Sequence, residues 1–185
     1  MELIVAVDEN WGIGNKGELL CRVKNDLRNF RELTTGKTVI LGSKTLATFP
    51  GGKPLKNRRN IIMSRDAARV IDGAEIASSV PDALRLVGND EAVVIGGAST
   101  YKLFLPYCDT ATVTKFCATF EADAFFEDLD ASPEWELVSV SPEMTAEEGD
   151  SVPGLKYRFC VYKRVCRVKG KKRNLFAFLT RKSKS

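Results

Sequence analysis

One carboxylate in this chain sits where helical spacing would place an apolar residue. Over VKNDLRNFRELT, residues 23–34, a helix puts Val23, Leu27, Phe30, Leu33 and Thr34 on one arc and Lys24, Arg28, Arg31 and Glu32 on the other. Asp26 falls inside the apolar arc, between Leu33 and Phe30. An acid so placed faces the core or a cleft, and burying it unpaired costs roughly 3 kcal/mol or more, so it needs a partner. The alternative is an acid in the first turn that complements the helix N-terminus and reaches past the stripe to water.

Three other stretches carry groups that bind anions. TVIL at 38–41 reads as a buried strand, and Gly42-Ser43-Lys44-Thr45 then opens a short helical pattern, so backbone N–H groups, a hydroxyl and a cation meet; simple capping is the competing account. Arg65 stands just past the strand NIIMS at 60–64, at the end where open α/β sheets bind ligands. Gly96-Gly97-Ala98-Ser99 leads from strand EAVVIGG into a helix through Leu105. Gly12, Gly14 and Gly17 match the GxGxxG spacing, but no helix opens within them and the next strand ends in Gly42-Ser43-Lys44, so a dinucleotide fingerprint is not supported there. The expectation for residues 9–22 is a flexible loop closing over a site.

The chain has no histidine, which excludes Ser-His-Asp and Cys-His nucleophiles, HExxH zinc sites and an imidazole base. Proton transfer is left to carboxylates, Lys, Tyr, Cys or water. Five cysteines without a close CxxC pair indicate neither a disulfide framework nor a metal cage. The net charge of +4 is uneven: all 24 acids lie at or before Asp150, while ten of the 28 bases lie from Lys163 onward. The first 162 residues are therefore net acidic, and nucleic acid is not an expected partner of the main body.

The elements that would position these groups follow from the pattern. ELIVAVD at 2–8 suits a central strand buried on both faces, and the repeated order of strand, helix and strand with short connections indicates an α/β domain with a largely parallel sheet. Val80-Pro81-Asp82 opens a helix to about Val87. From Ala111 the pattern alternates through TVTKF, WELVSV and LKYRFCVYK, as antiparallel edge strands do, with Leu155, Tyr157, Phe159 and Val161 on one side. No apolar run nears 18 residues and no cleavable leader is apparent, so a cytoplasmic protein of one domain over 1–164 is expected, with a basic extension at 165–185.

Taken together, VAVDENWGIG, the Asp26 helix with Phe30, TVILGSKT, LKNRRNIIMSR and VVIGGASTY resemble dihydrofolate reductases of the bacterial type, over residues 1 to about 164. The resemblance implies a mixed, mostly parallel eight-stranded sheet with helices on both faces. It also implies reduction of 7,8-dihydrofolate by hydride transfer from NADPH, a monomeric state and antifolate compounds as ligands. Asp26 then becomes the catalytic carboxylate, with Thr114 and a water beside it. Val5, Ala6 and Ile95 would floor the pterin and nicotinamide site. Leu27, Phe30, Phe49 and Leu55 would line the substrate, Phe30 and Phe49 on its benzoyl portion, and Arg58 would grip its glutamate carboxylate. On the cofactor side, Ala6, Ile13 and Gly14 would touch the nicotinamide amide with Leu19 nearby. Gly42, Ser43, Lys44, Thr45, Ser64 and Arg65 would serve the adenosine phosphates, and Gly96, Gly97, Ala98, Ser99, Thr100 and Tyr101 the pyrophosphate. The family's Gly-Gly pair carries a cis peptide bond.

The sequence departs from the pattern twice. Leu20-Cys21 stands where many relatives have Pro-Trp, which places Cys21 at the mouth of the site within reach of thiol reagents, and the basic tail has no counterpart. A pyrimidine reductase of riboflavin synthesis shares the fold and NADPH, but its substrate offers Arg58 no glutamate tail. A silent nucleotide-binding module whose tail contacts RNA is the alternative from another class.

Overall fold

A strand that is apolar on both faces must lie inside a sheet with cover above and below, and Glu2–Val7 does so in the computed structural model. The structure describes residues 1–165 and the backbones of Arg167–Val168 and Lys171–Lys172; the rest of the expected extension lies outside the described residues. In chain order the elements begin β1 (Glu2–Val7), β2 (Gly12–Asn15), β3 (Glu18–Leu19), α1 (Lys24–Thr34), β4 (Thr38–Gly42), α2 (Ser43–Ala47), β5 (Arg59–Met63), β6 (Glu75–Ala77), α3 (Val80–Val87) and β7 (Ala92–Gly96). They continue with α4 (Ala98–Phe104), β8 (Thr110–Phe116), β9 (Ala124–Phe125), β10 (Trp135–Val140), β11 (Met144–Thr145), β12 (Lys156–Arg164), β13 (Arg167–Val168) and β14 (Lys171–Lys172).

The main sheet runs β10-β12-β8-β1-β7-β4-β5-β6, with β11 beside β12. β1 pairs in parallel with β7 and β8, β4 with β5 and β7, and β5 with β6, whereas β12 is antiparallel to β8, β10 and β11. This is the expected mixed, mostly parallel sheet on an eight-strand path. Side-chain alternation sorts the core by face. Leu3, Val5, Val7, Ile40, Ile61 and Val94 pack with Ala83 and Val87 of α3 and with Tyr101 and Phe104 of α4. Ile4, Val39, Leu41, Ile62, Val93 and Ile95 pack with Leu46 of α2 and, through Phe30 and Leu33, with α1.

Two expectations about strands need correction. TVTKF is not an antiparallel edge: β8 lies between β1 and β12 and runs parallel to β1. β12 is interior as well, so Cys160 and Tyr162 are buried on one face while Leu155 and Tyr157 are buried on the other. Alternation marked which residues point together; it did not reveal that both sides were covered. The segment after β1 is also more ordered than a flexible loop, because β2 pairs with both β3 and β9 in a small separate sheet.

Val23 offers no side-chain cap to α1. The missing acceptor comes from far along the chain, where Asp150 Oδ1 takes the Lys24 N–H at 2.8 Å and its Oδ2 takes the Glu147 N–H at 2.8 Å. The same region anchors the helix again: Arg22 N–H donates to Ser151 Oγ at 2.6 Å and Asn25 Nδ2 to the Tyr157 hydroxyl at 3.0 Å.

Candidate active site

β1 and β7 pair only through Glu2–Val93 and Leu3–Val94, while β1 stays with β8 as far as Val7–Lys115. Beyond Leu3 the two parallel strands part, and the Ile4 carbonyl accepts the Tyr101 hydroxyl at 2.6 Å. A crevice opens there, at the carboxyl ends of adjacent strands where the chain order reverses across the sheet. α1 covers one side of it. Ala6 and Thr114 are register partners and face α1, and Thr114 Oγ1 donates to Asp26 Oδ1 at 2.6 Å.

Among the described residues no cation pairs with Asp26, and Thr114 is its one side-chain donor. Burial pushes the Asp26 carboxyl up from its ordinary value, and the Thr114 hydrogen bond pulls it partly back. Such a group retains both acceptor capacity and affinity for a proton. Farther along the same wall, Phe30, Leu33, Phe49 and Leu55 are half-buried against the α1-side core, and Leu27 is 41% exposed although it lies on the apolar arc. That exposure gives the crevice an apolar flank. Val5 alternates onto the opposite face, so only its backbone can line the crevice, whereas Ala6 and Ile95 face inward.

Arg58 closes this end. Its Nε donates to Thr34 Oγ1 at 2.8 Å, one terminal nitrogen to the Lys56 carbonyl at 2.7 Å and the other to the Arg31 carbonyl at 3.5 Å. The Thr34 hydroxyl is itself fixed on the Phe30 carbonyl at 2.7 Å. Among the described residues Arg58 has no carboxylate partner; burial and then the neighbouring Arg31 push its guanidinium down from its ordinary value. An arriving anion relieves both effects.

The phosphate-binding candidates gather at the other end. Gly96-Gly97 is cis, as the resemblance implies. The loops after β4 and β7 interlock: a Cβ on Gly97 would sit 2.9 Å from Thr45 Oγ1, and one on Gly42 would sit 3.0 Å from Thr100 Oγ1. An added Cβ at either position would crowd a threonine hydroxyl of the other loop. Lys44 and Arg65 are exposed just past β4 and β5, without an ion-pair partner among the described residues. Ser43 Oγ is occupied by the Met63 carbonyl at 2.9 Å, Thr100 is buried, and Tyr101 is committed to Ile4. Ser64, Ala98 and Ser99 lie half-buried or exposed at the same end, and Leu19 is 51% exposed at the rim beside Ile13 and buried Gly14.

A model of the dihydrofolate reductase family matches residues 1–164. The chain belongs to the dihydrofolate reductase family. It is 35% identical to the Bacillus subtilis dihydrofolate reductase over 165 residues, covering 89% of this chain and 94% of that one, and 38% identical over 163 residues to that of Neisseria meningitidis serogroup B, covering 88% and 96%. The fold matches dihydrofolate reductase from Enterococcus faecalis complexed with NADP(H) and RAB-propyl with a TM-score of 0.78 at 32% identity, over 88% of this chain and 95% of that one. This chain is thus an NADPH-dependent oxidoreductase of the dihydrofolate reductase type.

Within that reductase frame one expectation fails. Cys21 is 8% exposed and packs with Val23, Phe116, Leu155 and Tyr157, and burial pushes its thiol up to about 12. A thiol so protonated and covered is inert, so it does not stand open to reagents at the mouth. Two supporting residues escaped notice in the sequence. Asp8, 1% exposed, accepts the N–H groups of Asn10 at 2.9 Å, Gly12 at 2.8 Å and Phe120 at 2.9 Å, pinning the start of the segment that carries Ile13 and Gly14. Lys115 lies 4.7 Å from the Trp11 ring centroid and pairs with Asp130, which also accepts the Tyr162 hydroxyl at 2.6 Å. The DEN turn after a buried strand was a readable sign for Asp8; Lys115 carried none.

Proposed function

We propose that this reductase converts 7,8-dihydrofolate to 5,6,7,8-tetrahydrofolate, with Asp26 favouring protonation of the pterin through water. The observation that carries the reading is the half-buried Asp26 carboxylate, fixed by Thr114 and facing the crevice without a cation partner among the described residues. A pterin presents what it lacks: an amino group and a ring nitrogen that gains positive character during reduction. The residues at the far end fit the cofactor, since two solvent-facing cations stand past adjacent parallel strands and glycine backbones approach closely. NADPH, when bound, supplies the hydride.

The remaining work falls to side chains. Asp26 takes the pterin amino group and ring nitrogen and, as a carboxylate, stabilises the protonated ring. Thr114 holds the carboxylate in one orientation. With no histidine in the chain, a water beside Asp26 and Thr114 delivers the proton to the ring. Ala6, Ile95 and the Val5 backbone form the floor. Phe30, Phe49, Leu27 and Leu55 exclude water around the benzoyl portion, and Arg58 takes the glutamate carboxylate through its fork. Ile13, Gly14 and Leu19 cover the nicotinamide side. Gly42 to Thr45 with Ser64 and Arg65 hold the adenosine phosphates, and Gly96 to Tyr101 hold the pyrophosphate largely through backbone groups.

A riboflavin-pathway pyrimidine reductase is disfavoured by Arg58, whose preset fork has no use without a terminal carboxylate. The proposal includes antifolate compounds as competitors for this crevice and a monomer acting in the cytoplasm; among the described residues no helix is long and apolar enough to cross a membrane. Adding dihydrofolate to enzyme and NADPH should lower absorbance at the NADPH band. The Asp26→Asn variant should lose rate at neutral pH and recover it as pH falls; a variant with an unchanged pH–rate profile removes Asp26 from the mechanism.

A further inference from the structure

α4 and the segment Phe125–Glu127 enclose a groove of about 380 Å³, with Tyr101, Lys102, Leu105, Phe125, Phe126 and Glu127 among its walls. Ala98 and Ser99 also line it, so the groove adjoins the pyrophosphate end of the crevice. Phe125 is 52% exposed in it, and Leu103 and Tyr107 on the neighbouring surface are 50% and 47% exposed. One wall belongs to a strongly acidic stretch: residues 121–134 hold six acids and no base. Asp130 and Glu134 are paired with Lys115 and Arg164, but among the described residues Glu121, Asp123, Glu127 and Asp128 have no cation.

The last strand of the main sheet ends beside this groove. Arg164 donates to the Leu105 carbonyl at 2.5 Å and to the Cys108 carbonyl at 2.9 Å, and Val165 N–H donates to the Glu134 carbonyl at 2.8 Å. Residues 166–185 then carry eight bases and no acid around one apolar run, Leu175-Phe176-Ala177-Phe178-Leu179. The tether is short, because Arg167 pairs with Lys172 and brings the chain back on itself. Two residues out, one pairing across and three residues on place Leu175 within roughly 25 Å of Val165.

We propose that this groove docks the chain's own C-terminal segment, with the Leu175–Leu179 run on Phe125 and Leu105 and its flanking bases over the acids of 121–134. Each exposed ion pair contributes little by itself, so burial of Phe176 and Phe178 must provide most of the contact. The tether supplies what affinity lacks, since an attached segment meets its site at an effective concentration near millimolar. Docking also reaches toward the cofactor side, because Phe125 and Ala124 pair with Gly12 and Gly14 in the small sheet.

Hydrogen exchange on the full chain tests the proposal. In dilute buffer the amides of 98–103 and 121–131 should exchange on the order of tenfold more slowly than in a chain carrying Phe176→Ser and Phe178→Ser. Raising ionic strength to about 0.5 M should erase part of that protection. Glu121→Lys with Glu127→Lys should weaken protection at least as far as salt does, and adding Lys171→Glu with Lys172→Glu should restore it. Equal exchange in the parent and serine variants overturns the proposal. So does protection that appears instead on the edge strand Trp135–Val140, or that rises with protein concentration and marks a second copy as the occupant.

Discussion

The two ends of the crevice hold cations in opposite ways. At the substrate end all three guanidinium nitrogens of Arg58 are tied to Thr34 and to two carbonyls, and the group is partly withdrawn from water. At the cofactor end Lys44 and Arg65 stand in solvent with no ion-pair partner among the described residues. An oriented fork discriminates by geometry and resists salt, whereas solvated cations attract charge with little regard to its shape and are screened. On the proposed assignment, a planar carboxylate would meet a rigid receptor and a phosphate dianion a loose one.

The largest effect should come from the group between these ends. Asp26→Asn should lower kcat by roughly 10²- to 10⁴-fold at neutral pH, with a smaller loss in acid, while substrate binding changes little. The same substitution should stabilise the fold. A carboxyl whose affinity for its proton is raised by folding loses stability as pH rises through its folded pKa, and an amide has nothing to lose. Thermal unfolding should show the Asp26→Asn variant melting above the parent at neutral pH and level with it below about pH 4, where the carboxyl binds its proton in both the folded and the unfolded chain. Equal melting at both pH values would show that burial of Asp26 has no energetic cost.

Arg58→Lys should come next, raising KM for dihydrofolate by roughly 10- to 100-fold and leaving a pterin without the glutamate tail unaffected. Thr34→Val should reproduce part of this loss by freeing the guanidinium. If Thr34→Val leaves KM alone, the receptor is not rigid and the contrast between the two ends collapses. Arg65→Ala should weaken NADPH by about tenfold with little effect on NADH, and the difference should shrink as salt is raised. A loss that ignores salt would mean that Arg65 is as fixed as Arg58. The smallest effect should be that of Asp150→Ala, which removes the borrowed cap of α1 and lowers the melting temperature by a few degrees. The Lys24 N–H holds the Asp150 carboxyl below its usual range, so the capping contribution is present at neutral pH and fades as pH falls through that lowered value.

What the sequence disclosed was what depends on neighbours along the chain. The helix over 24–34, the strand at 38–42 and the Val80–Val87 helix were visible in spacing and punctuation, and the misplacement of Asp26 on its arc was the sign of a site. What escaped depends on distant partners. TVTKF alternates like an edge strand, yet its position between β1 and β12 is fixed by pairings that no local pattern encodes. Cys21 looked accessible because its family position is a mouth, but Phe116, Leu155 and Tyr157 close over it. Thr34 read as a small residue on an apolar face, although its hydroxyl is what orients Arg58.

The borrowed cap on α1 also has a consequence for the order in which the protein is made. Asp26 is synthesised early, but Lys24, Asn25 and Arg22 find their partners at Asp150, Tyr157 and Ser151, more than 120 residues later. Contacts of such long separation form late, after the loop between them has been closed. A nascent chain can lay down its first parallel strands while the helix that bears its acid still lacks its cap and its anchor. A chain stopped short of Asp150 should therefore carry both Asp26 and Thr114 while α1 lacks the cap and the anchors that fix its place.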